Sequence, residues 1–336
     1  MRVIILGSKL KEAVNVVSRI SIKSISLPIL QNVLIVSEKN FLKLSSTDLE
    51  TGITFWALSK TEKEGKICVP LSIFSKLISF FPETPLNLEG KDFILNIESE
   101  VFSIKIKGTN PEDFPIIPQI NQKDYINVNC EKFCEALSQI YDIPSGLISK
   151  PEISGVFLLF HPEFLKLVAT DSFRLFERTI FLKTNIQKEI SFILPQKAAK
   201  EIISIFGQKE GELRFYFSPN QIWIETLNEE LSHPKIQFTS RLIEGEYPNY
   251  QEVIPKKFET EVVFLKDEFL EKLRTASLFS GKNNEVKLII IPKEKKIEIE
   301  SQSPDLGEYK SFINGEIKGE ELTISFNHRF LTKGIS

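Results

Sequence analysis

The residues of this chain that could do chemistry are few. Asp48 and Asp171 each follow a threonine at the end of a strand-like run, within FLKLSSTD at 41–48 and FLKLVATD at 164–171. Two carboxylates in equivalent places could act as a catalytic acid and base. A Thr-Asp pair that ends a strand is more typical of a turn, in which the side chains bond nearby backbone N–H groups. We therefore predict a structural turn at both places.

The histidines and cysteines do not form a recognisable site. His161, His233 and His328 are scattered, and the first two precede a proline, as turn residues often do. Cys130 and Cys134 could share a helical face, but a metal site needs more ligands. The sequence also contains no phosphate loop, dinucleotide-binding, zinc-protease or serine-hydrolase motif. We predict buried structural cysteines, no metal, no cofactor and no enzymatic activity.

The composition is that of an ordinary globular protein. The 336 residues are 42% hydrophobic and 26% charged, with a formal net charge of −3. No apolar run reaches the roughly 18 residues of a membrane span. Three sparse cysteines do not make a disulfide framework. We expect a cytoplasmic protein that does not bind membranes.

The two Thr-Asp segments belong to a repeat of domain size. Each follows a strand and a tight turn, and each leads to a strand that runs through a proline, Pro70 or Pro195, into a helix. An amphipathic helix precedes each repeat, with Ser8 as the expected N-cap of the first. A third copy follows, with Asn327 in the place of the prolines.

These elements predict an α+β fold of three tandem similar domains, with helices on one face of antiparallel sheets. The expected domains are residues 1–120, 126–254 and 260–336. By comparison with the first two copies, the third lacks about 35 residues, so we expect a truncated third domain. The sequence alone does not say whether residue 336 is the natural end.

Charge is unevenly distributed along the chain. The five predicted helical segments carry a net +5 and the remaining residues −8. This division is expected if the helices face a polyanion and the sheets face solvent. It also agrees with lysines that are simply solvated on helix surfaces, and the charge alone does not decide between the two interpretations.

Six segments together resemble the β subunit of bacterial DNA polymerase III, the sliding clamp. They are SLPILQNVLI (26–35), SSTDLETGI (45–53), SGVFLLF (154–160), LVATDSFRL (167–175), LPQKAAKEI (194–202) and LIEGEYPNYQEVIP (242–255). The resemblance runs along essentially the whole chain. It implies the DNA-clamp fold and a homodimeric ring, a processivity factor in DNA replication that encircles double-stranded DNA without reading its sequence. It also implies that the ring tethers the DNA polymerase III alpha subunit, the clamp loader and other clamp-motif proteins through a hydrophobic peptide cleft.

The resemblance also implies roles for individual residues. The expected DNA-binding residues are Lys23, Lys150 and Lys197, followed by Arg19, Lys200, Lys272 and Arg274. The expected partner-peptide cleft comprises Ile153, Thr170, Ser172, Phe173, Arg174, Leu175, Pro248, Val253 and Phe330. The expected dimer interface places Phe102 and Ile104 against Leu278 and Phe279.

Ser172 and Phe173 depart from the family pattern, which has glycine and histidine in their places. We expect them to restrict the backbone, make the pocket more apolar and shift peptide preference. Two other functions remain as alternatives. The first is a peptide-binding scaffold that no longer encircles DNA because the third domain is short, and the second is an enzyme with an unrecognised site.

Overall fold

The computed structural model describes most of the chain. The described residues are 1–20, 27–120, 124–144, 150–184, 186–228 and 233–335. They form two compact units, residues 1–248 and 249–336.

The three sequence repeats contain equivalent elements. The first comprises β1 (Arg2–Leu6), α1 (Gly7–Val17), β2 (Asn32–Glu38), β3 (Phe41–Thr47), β4 (Thr51–Leu58), β5 (Lys60–Lys63), β6 (Gly65–Pro70), α2 (Leu71–Ile78), β7 (Pro85–Lys91), β8 (Ile94–Glu98) and β9 (Ser103–Lys107). The second comprises β10 (Ile126–Asn129), α3 (Cys130–Ile140), β11 (Gly155–Phe160), β12 (Phe164–Thr170), β13 (Leu175–Phe181), β14 (Ile190–Pro195), α4 (Gln196–Phe206), β15 (Glu212–Ser218), β16 (Gln221–Leu227) and β17 (Pro234–Arg241). The third comprises β18 (Thr260–Phe264), α5 (Lys266–Ser277), β19 (Glu285–Ile291), β20 (Lys296–Ser303), β21 (Gly307–Gly319), β22 (Leu322–Asn327) and α6 (His328–Ile335).

The repeats also share their strand order. The order β4-β3-β2-β6 recurs as β13-β12-β11-β14 and as β21-β20-β19-β22, and the pairs within each are antiparallel. A second order, β1-β7-β8-β9, recurs as β10-β15-β16-β17. The predicted α+β fold of three tandem similar domains is therefore confirmed.

The first two repeats are joined by a continuous sheet. Strand β17 of the second repeat pairs with β4 of the first, which makes one eight-stranded sheet from the two. Buried side chains of both repeats also form a single hydrophobic cluster. Because strands and core both cross the join, residues 1–248 are one unit, and the predicted domain boundaries stay a prediction.

Helices pack against the sheets through the predicted apolar faces. Leu10, Val14 and Val17 of α1 are fully buried, and α1 lies against β3 and β4. The corresponding residues of α3 and α5 are also buried. This burial at helical spacing is what fixes each helix to one face of its sheet.

The start of each repeat differs from the prediction. A short strand, rather than a helix, comes first, and it runs into the helix without an intervening turn. Ser8 is not the N-cap, because the helix already begins at Gly7, whose N–H donates to the Thr84 carbonyl at 3.1 Å. Strands of four or five residues without a following turn signal are hard to recognise in a sequence.

The predicted shortness of the third repeat stays a prediction.

Candidate functional site

The two Thr-Asp segments form the same turn. Asp48 Oδ1 accepts hydrogen bonds from the backbone N–H groups of Glu50 and Thr51, at 3.0 and 2.5 Å. Asp171 Oδ1 accepts from those of Phe173 and Arg174, at 3.0 and 2.8 Å. The prediction of a structural turn is confirmed at both places, and each carboxylate is occupied in holding its own loop.

The second carboxylate oxygen has a different partner in each turn. Asp171 Oδ2 accepts from Arg174 Nε at 2.9 Å and lies 2.8 Å from Nη2, so this pair is local and bidentate. Asp48 Oδ2 accepts from Lys197 Nζ on α4, which belongs to the second repeat. Asp48 therefore ties the first repeat to the second, whereas the described contacts of Asp171 brace its own turn.

These contacts also decide the protonation of both aspartates. Burial by itself would raise the pKa of the Asp48 carboxyl, but the bonds from Lys197 and from the Thr51 N–H and hydroxyl together lower it. Burial likewise would raise the pKa of the Asp171 carboxyl, but the hydrogen bonds from the backbone and the Arg174 side chain outweigh it and lower the pKa. Both groups are held ionised, which suits structural anions rather than proton-transfer catalysts.

The turn at Thr170–Leu175 carries most of the expected peptide-cleft residues. The Thr170 hydroxyl donates to the Arg174 carbonyl at 2.6 Å and accepts from the Ser172 N–H at 3.2 Å. Ser172 has φ = 72°, in the left-handed region that favours glycine, so serine is strained there. The turn holds Phe173 outward, with 86% of its surface exposed.

Other expected cleft residues lie outside this turn. Ile153 is buried at the end of a short 3-10 helix, Pro151–Ile153. Pro248 is exposed and follows Tyr247, whose ring stacks on Phe157 of β11 at a centroid distance of 4.8 Å. In the second unit, Val253 is 73% exposed and Phe330 lies in the first turn of α6. The roles of these residues stay predictions.

The expected DNA-binding residues are not all equally available. Arg19, Lys150, Lys200 and Arg274 are exposed. Lys272 is half-buried and lies 3.8 Å from the Glu271 carboxylate. Lys197 is engaged by Asp48. Lys23 lies outside the described residues.

The expected dimer-interface residues lie beside two strand edges. Phe102 stacks on Phe81 at 5.3 Å immediately before β9, and Ile104 lies within β9. In the second unit, Leu278 follows α5 with 68% of its surface exposed, and Phe279 stacks on Tyr309 of β21 at 6.1 Å. Strand β9 is the last strand of its sheet, and residues 307–314 of β21 pair with β20 on one side only, as far as the structure describes the chain.

Sequence reasoning missed three features of these surfaces. They are the Asp48–Lys197 pair, the Glu12 carboxylate shared by Lys209 and Lys235, and the open strand edges. The ion pairs join residues far apart in sequence, so no local pattern marks them. Which strand edges are paired also depends on what the fold brings beside each sheet, so no local pattern marks it either.

The described residues contain no group of three or more histidines, cysteines, aspartates or glutamates arranged to hold a metal ion. Cys130 and Cys134 are buried, and the Cys130 thiol donates to the Phe206 carbonyl at 3.3 Å. Among the described helices, none has the length and apolarity needed to cross a membrane.

Comparison with protein families matches nearly the whole chain to one family. Residues 1–118 match the DNA polymerase III beta subunit N-terminal domain, residues 129–249 its central domain and residues 251–336 its C-terminal domain. The three matches follow one another in the family's own order.

Individual relatives agree with this result. The beta sliding clamp of Synechococcus elongatus is 26% identical over 343 residues, which cover 100% of this chain and 89% of the relative. That of Staphylococcus aureus is 27% identical over 318 residues, covering 91% and 82%. The crystal structures of the DNA polymerase sliding clamp of Bacillus subtilis and the polymerase beta subunit of Streptococcus pyogenes are each 25% identical. Their TM-scores are 0.91 and 0.90. Each match covers 100% of this chain, and it covers 89% of the Bacillus subtilis chain and 90% of the Streptococcus pyogenes chain.

Proposed function

Because the chain belongs to the DNA polymerase III beta subunit family, the bacterial sliding clamps, we propose that two copies close head to tail into a ring around duplex DNA. Clamps of this family are processivity factors and not enzymes, so this chain acts by staying on DNA. The ring would tether the polymerase alpha subunit, the clamp loader and other clamp-motif proteins to the duplex.

The observation that carries ring closure is the strand pairing inside the chain. Strand β17 joins the second repeat to the first by pairing with β4, with Ile236 opposite Phe55 and Phe238 opposite Ile53. Equivalent strands of other repeats can make the same contact between two molecules. A contact between two different surfaces produces a ring when the rotation from one copy to the next leads back to the first copy.

The counterpart of β17 in the first repeat is β9. Ile104 stands opposite Ile97 of β8, as Phe238 stands opposite Ile224 of β16. Ile104 therefore corresponds to Phe238, and both are apolar. The free side of β9 is then equivalent to the side of β17 that pairs with β4.

The counterpart of β4 in the third repeat is the first part of β21. Asn32 pairs with Pro70 in the first repeat and Glu285 pairs with Asn327 in the third, so Asn32 and Glu285 are equivalent. Counting paired residues from these two across the neighbouring strands makes Tyr309 equivalent to Ile53 and Glu308 equivalent to Gly52. This part of β21 has the open side described above.

Pairing these two strands in the register of β17 and β4 gives a complementary contact. Ile104 faces Tyr309 of the second copy, beside the stacked ring of Phe279, and Lys105 faces Glu308. Apolar and opposite-charge cross-strand pairs each stabilise a sheet by about 0.2–1 kcal/mol. The register thus brings Ile104 beside Phe279, two of the four interface residues that the family resemblance implies.

Charge reversal tests this contact. Lys105→Glu places two carboxylates opposite each other, and because a two-fold ring contains the contact twice, we expect the dimer dissociation constant to rise about tenfold or more. Light scattering over a range of concentrations should move from twice 38.5 kDa toward 38.5 kDa. The double variant Lys105→Glu with Glu308→Lys should restore the dimer.

Lys60→Glu is the matched control, because Lys60 is exposed at the opposite edge of the same sheet and should leave the mass unchanged. A wild-type chain that stays at 38.5 kDa at micromolar concentration would contradict the ring and favour a peptide-binding scaffold.

Exposed basic residues near the helices supply the proposed DNA contacts. Arg19 follows α1 and Lys200 lies on α4, while Lys150 and Arg274 are also exposed. Lysine and arginine contacts to phosphates are independent of sequence and weaken as salt rises. Lys197 should contribute less, because Asp48 already holds its ammonium group.

Retention on circular DNA tests this role. The double variant Arg19→Glu with Lys200→Glu should leave nicked circles at lower salt than the wild type, and each lost phosphate contact should reduce the slope of log K against log salt by about 1. Lys91→Glu, an exposed lysine in a sheet, is the control. Linearising the DNA should release every variant, and persistent binding to linear DNA would contradict encirclement.

We place the peptide site at the turn Thr170–Leu175 together with Ile153 and Pro248. An exposed aromatic ring beside a bidentate Asp171–Arg174 pair suits short peptides with apolar anchors. Phe173→Ala should weaken binding of such a clamp-motif peptide about tenfold, measured by fluorescence anisotropy. Phe80→Ala removes an equally exposed ring on the first repeat and should have no effect; equal losses in both variants would contradict the assignment.

A further inference from the structure

A cavity of about 690 Å³ lies in the first unit, between the eight-stranded sheet and the linker at residues 111–120. Its floor is one row of paired residues across β2, β3, β4, β17 and β16, namely Leu34, Ser45, Thr54, Gln237 and Glu225. Residues that pair across a sheet share a face. Ile53 and Phe55, on either side of Thr54, lie in the core, so the row lies on the face turned away from the helices.

The linker is fastened over this row by its own contacts. At its start the Thr109 N–H donates to the Cys68 carbonyl at 2.9 Å. Further on, the Phe114 ring is buried, and Trp223 Nε1 donates to the Pro118 carbonyl at 3.0 Å. The folded chain therefore forms the cavity by itself, as is usual for small-molecule sites.

Glu225 is the buried carboxylate of the cavity, with 5% of its surface exposed. Its Oε1 accepts from the Tyr216 hydroxyl at 2.6 Å. Burial, followed by this bond and the charge of Glu225, raises the pKa of the Tyr216 phenol, which therefore stays a donor. Within the described residues Glu225 makes no other hydrogen bond and no ion pair. Arg214, opposite it on β15, places its guanidinium 4.4 Å from the Tyr125 ring centre instead.

The other charged residues that line the cavity are paired with one another. Lys43 lies 3.5 Å from the Glu38 carboxylate, and Lys66 lies 2.7 Å from that of Glu112. Three glutamates and two lysines give the described lining a net charge of −1, which belongs to Glu225. A buried carboxylate is costly unless hydrogen bonds or a cation complete its environment.

We propose that this cavity binds a small organic cation that carries one ammonium or guanidinium group on an apolar body. The cationic group donates to Glu225 Oε2, beside Gln237 in the row. The apolar body lies against Leu34, Trp56 and Ile117. Cavities of roughly 300–1,000 Å³ with apolar walls and a few placed polar groups are typical of small-molecule sites.

The second repeat fills the equivalent place with aromatic rings. Leu34 and Ser45 correspond to Phe157 and Val168, which also stand opposite each other. The Tyr247 ring stacks on Phe157 at a centroid distance of 4.8 Å. The first repeat has a polar floor and open space at this position instead, which suits a ligand with both a charge and an apolar part.

Phenethylamine is a suitable probe, and 2-phenylethanol, in which a hydroxyl replaces the ammonium, is its neutral control. In calorimetric titration of the full chain, phenethylamine should bind saturably and 2-phenylethanol about tenfold or more weakly, because a charge-assisted hydrogen bond is lost. This comparison uses the wild-type protein and does not depend on any variant being folded.

Two glutamate variants test the anchor. Glu225→Gln keeps the shape and an acceptor for the Tyr216 hydroxyl but removes the charge, so phenethylamine should bind about tenfold or more weakly. Glu38→Gln is the matched control, because Glu38 lines the same cavity and is already paired with Lys43. It should change the affinity by less than about twofold. Urea unfolding of both variants shows whether a loss comes from the fold instead.

The two tryptophans of the chain, Trp56 and Trp223, locate the ligand. With 5-fluorotryptophan incorporated, the ¹⁹F signal that Trp56→Phe removes should shift saturably as phenethylamine is added. Equal binding of the two probes, equal binding of phenethylamine to wild type and Glu225→Gln, or an unchanged Trp56 signal would each overturn the proposal.

Discussion

Asp48 and Asp171 show how one local turn serves two structural roles. In both turns one carboxylate oxygen accepts the backbone N–H groups two and three residues ahead. The second repeat has Arg174 within reach of the other oxygen, while the first repeat recruits Lys197 from the neighbouring repeat. A repeated motif can therefore brace a turn within one copy and join two repeats in the other.

Replacing Asp48 should make stability depend less on pH. Its folded pKa is lowered, so its contribution is fully present above the unfolded value of about 3.9 and is lost as pH falls through the folded pKa. Asp48→Asn should lower the free energy of unfolding by about 1–3 kcal/mol at pH 7, and this difference should shrink below about pH 4. Urea unfolding at pH 7, 5 and 3 measures it.

The variant Lys197→Met measures what the ion pair contributes to stability while leaving the Asp48 turn in place. Lys197 is 47% exposed, so solvent weakens its pairing with Asp48, and its loss should lower stability by less than about 1 kcal/mol. A difference between wild type and Asp48→Asn that is constant from pH 7 to pH 3 would show that the carboxylate charge does not contribute.

At the scale of elements, a glycine lies where the sheet of the first repeat continues into the second. Gly52 on β4 lies where an added Cβ would be 2.9 Å from Cγ2 of Thr239 on β17 and 3.0 Å from Cγ2 of Ile117. The small residue leaves room for the close approach of β17 and of Ile117 to β4.

Gly52→Ala should therefore weaken the junction between the first two repeats. The overpacked methyl should lower the free energy of unfolding by about 1–3 kcal/mol. Thr239→Ser removes the methyl group that the new Cβ meets, so the double variant should recover part of this loss in a double-mutant cycle. Denaturant unfolding of the four proteins gives the coupling, and strictly additive losses would contradict the steric explanation.

At the scale of the whole molecule, the residues that the structure describes form two separate hydrophobic clusters. One cluster of buried side chains spans the first two repeats, and a separate, smaller cluster lies in the second unit. Units with separate cores tend to open separately, and the one that buries less apolar surface is expected to open first.

Calorimetry should therefore resolve two unfolding transitions. Leu273 of the second unit and Leu137 of the first are both fully buried, which makes them a matched pair. Leu273→Ala should move only the lower transition and Leu137→Ala only the upper one, with each losing about 2–5 kcal/mol in its own unit. A single transition that both variants shift equally would mean that the two units unfold together.

The sequence by itself determined the local chemistry and the repeated plan. Helical spacing at Leu10, Val14 and Val17 predicted a buried face, and the Thr-Asp pairs predicted turns, because both depend on neighbours within a few residues. The family resemblance predicted the fold, the clamp function and residues for each surface. The short strands before each helix were missed because no turn marks their ends.

The tertiary structure decided whether residues at the same position in two repeats contact the same partners. The pairing of Lys197 with Asp48 and the continuation of β4 into β17 both join residues that are distant in sequence. Repetition gives each copy the same strands, but whether a strand edge is covered depends on what the chain brings beside it in space. That is why the repeats predict the shape of each surface, and the packing of the described residues shows which strand edges are paired.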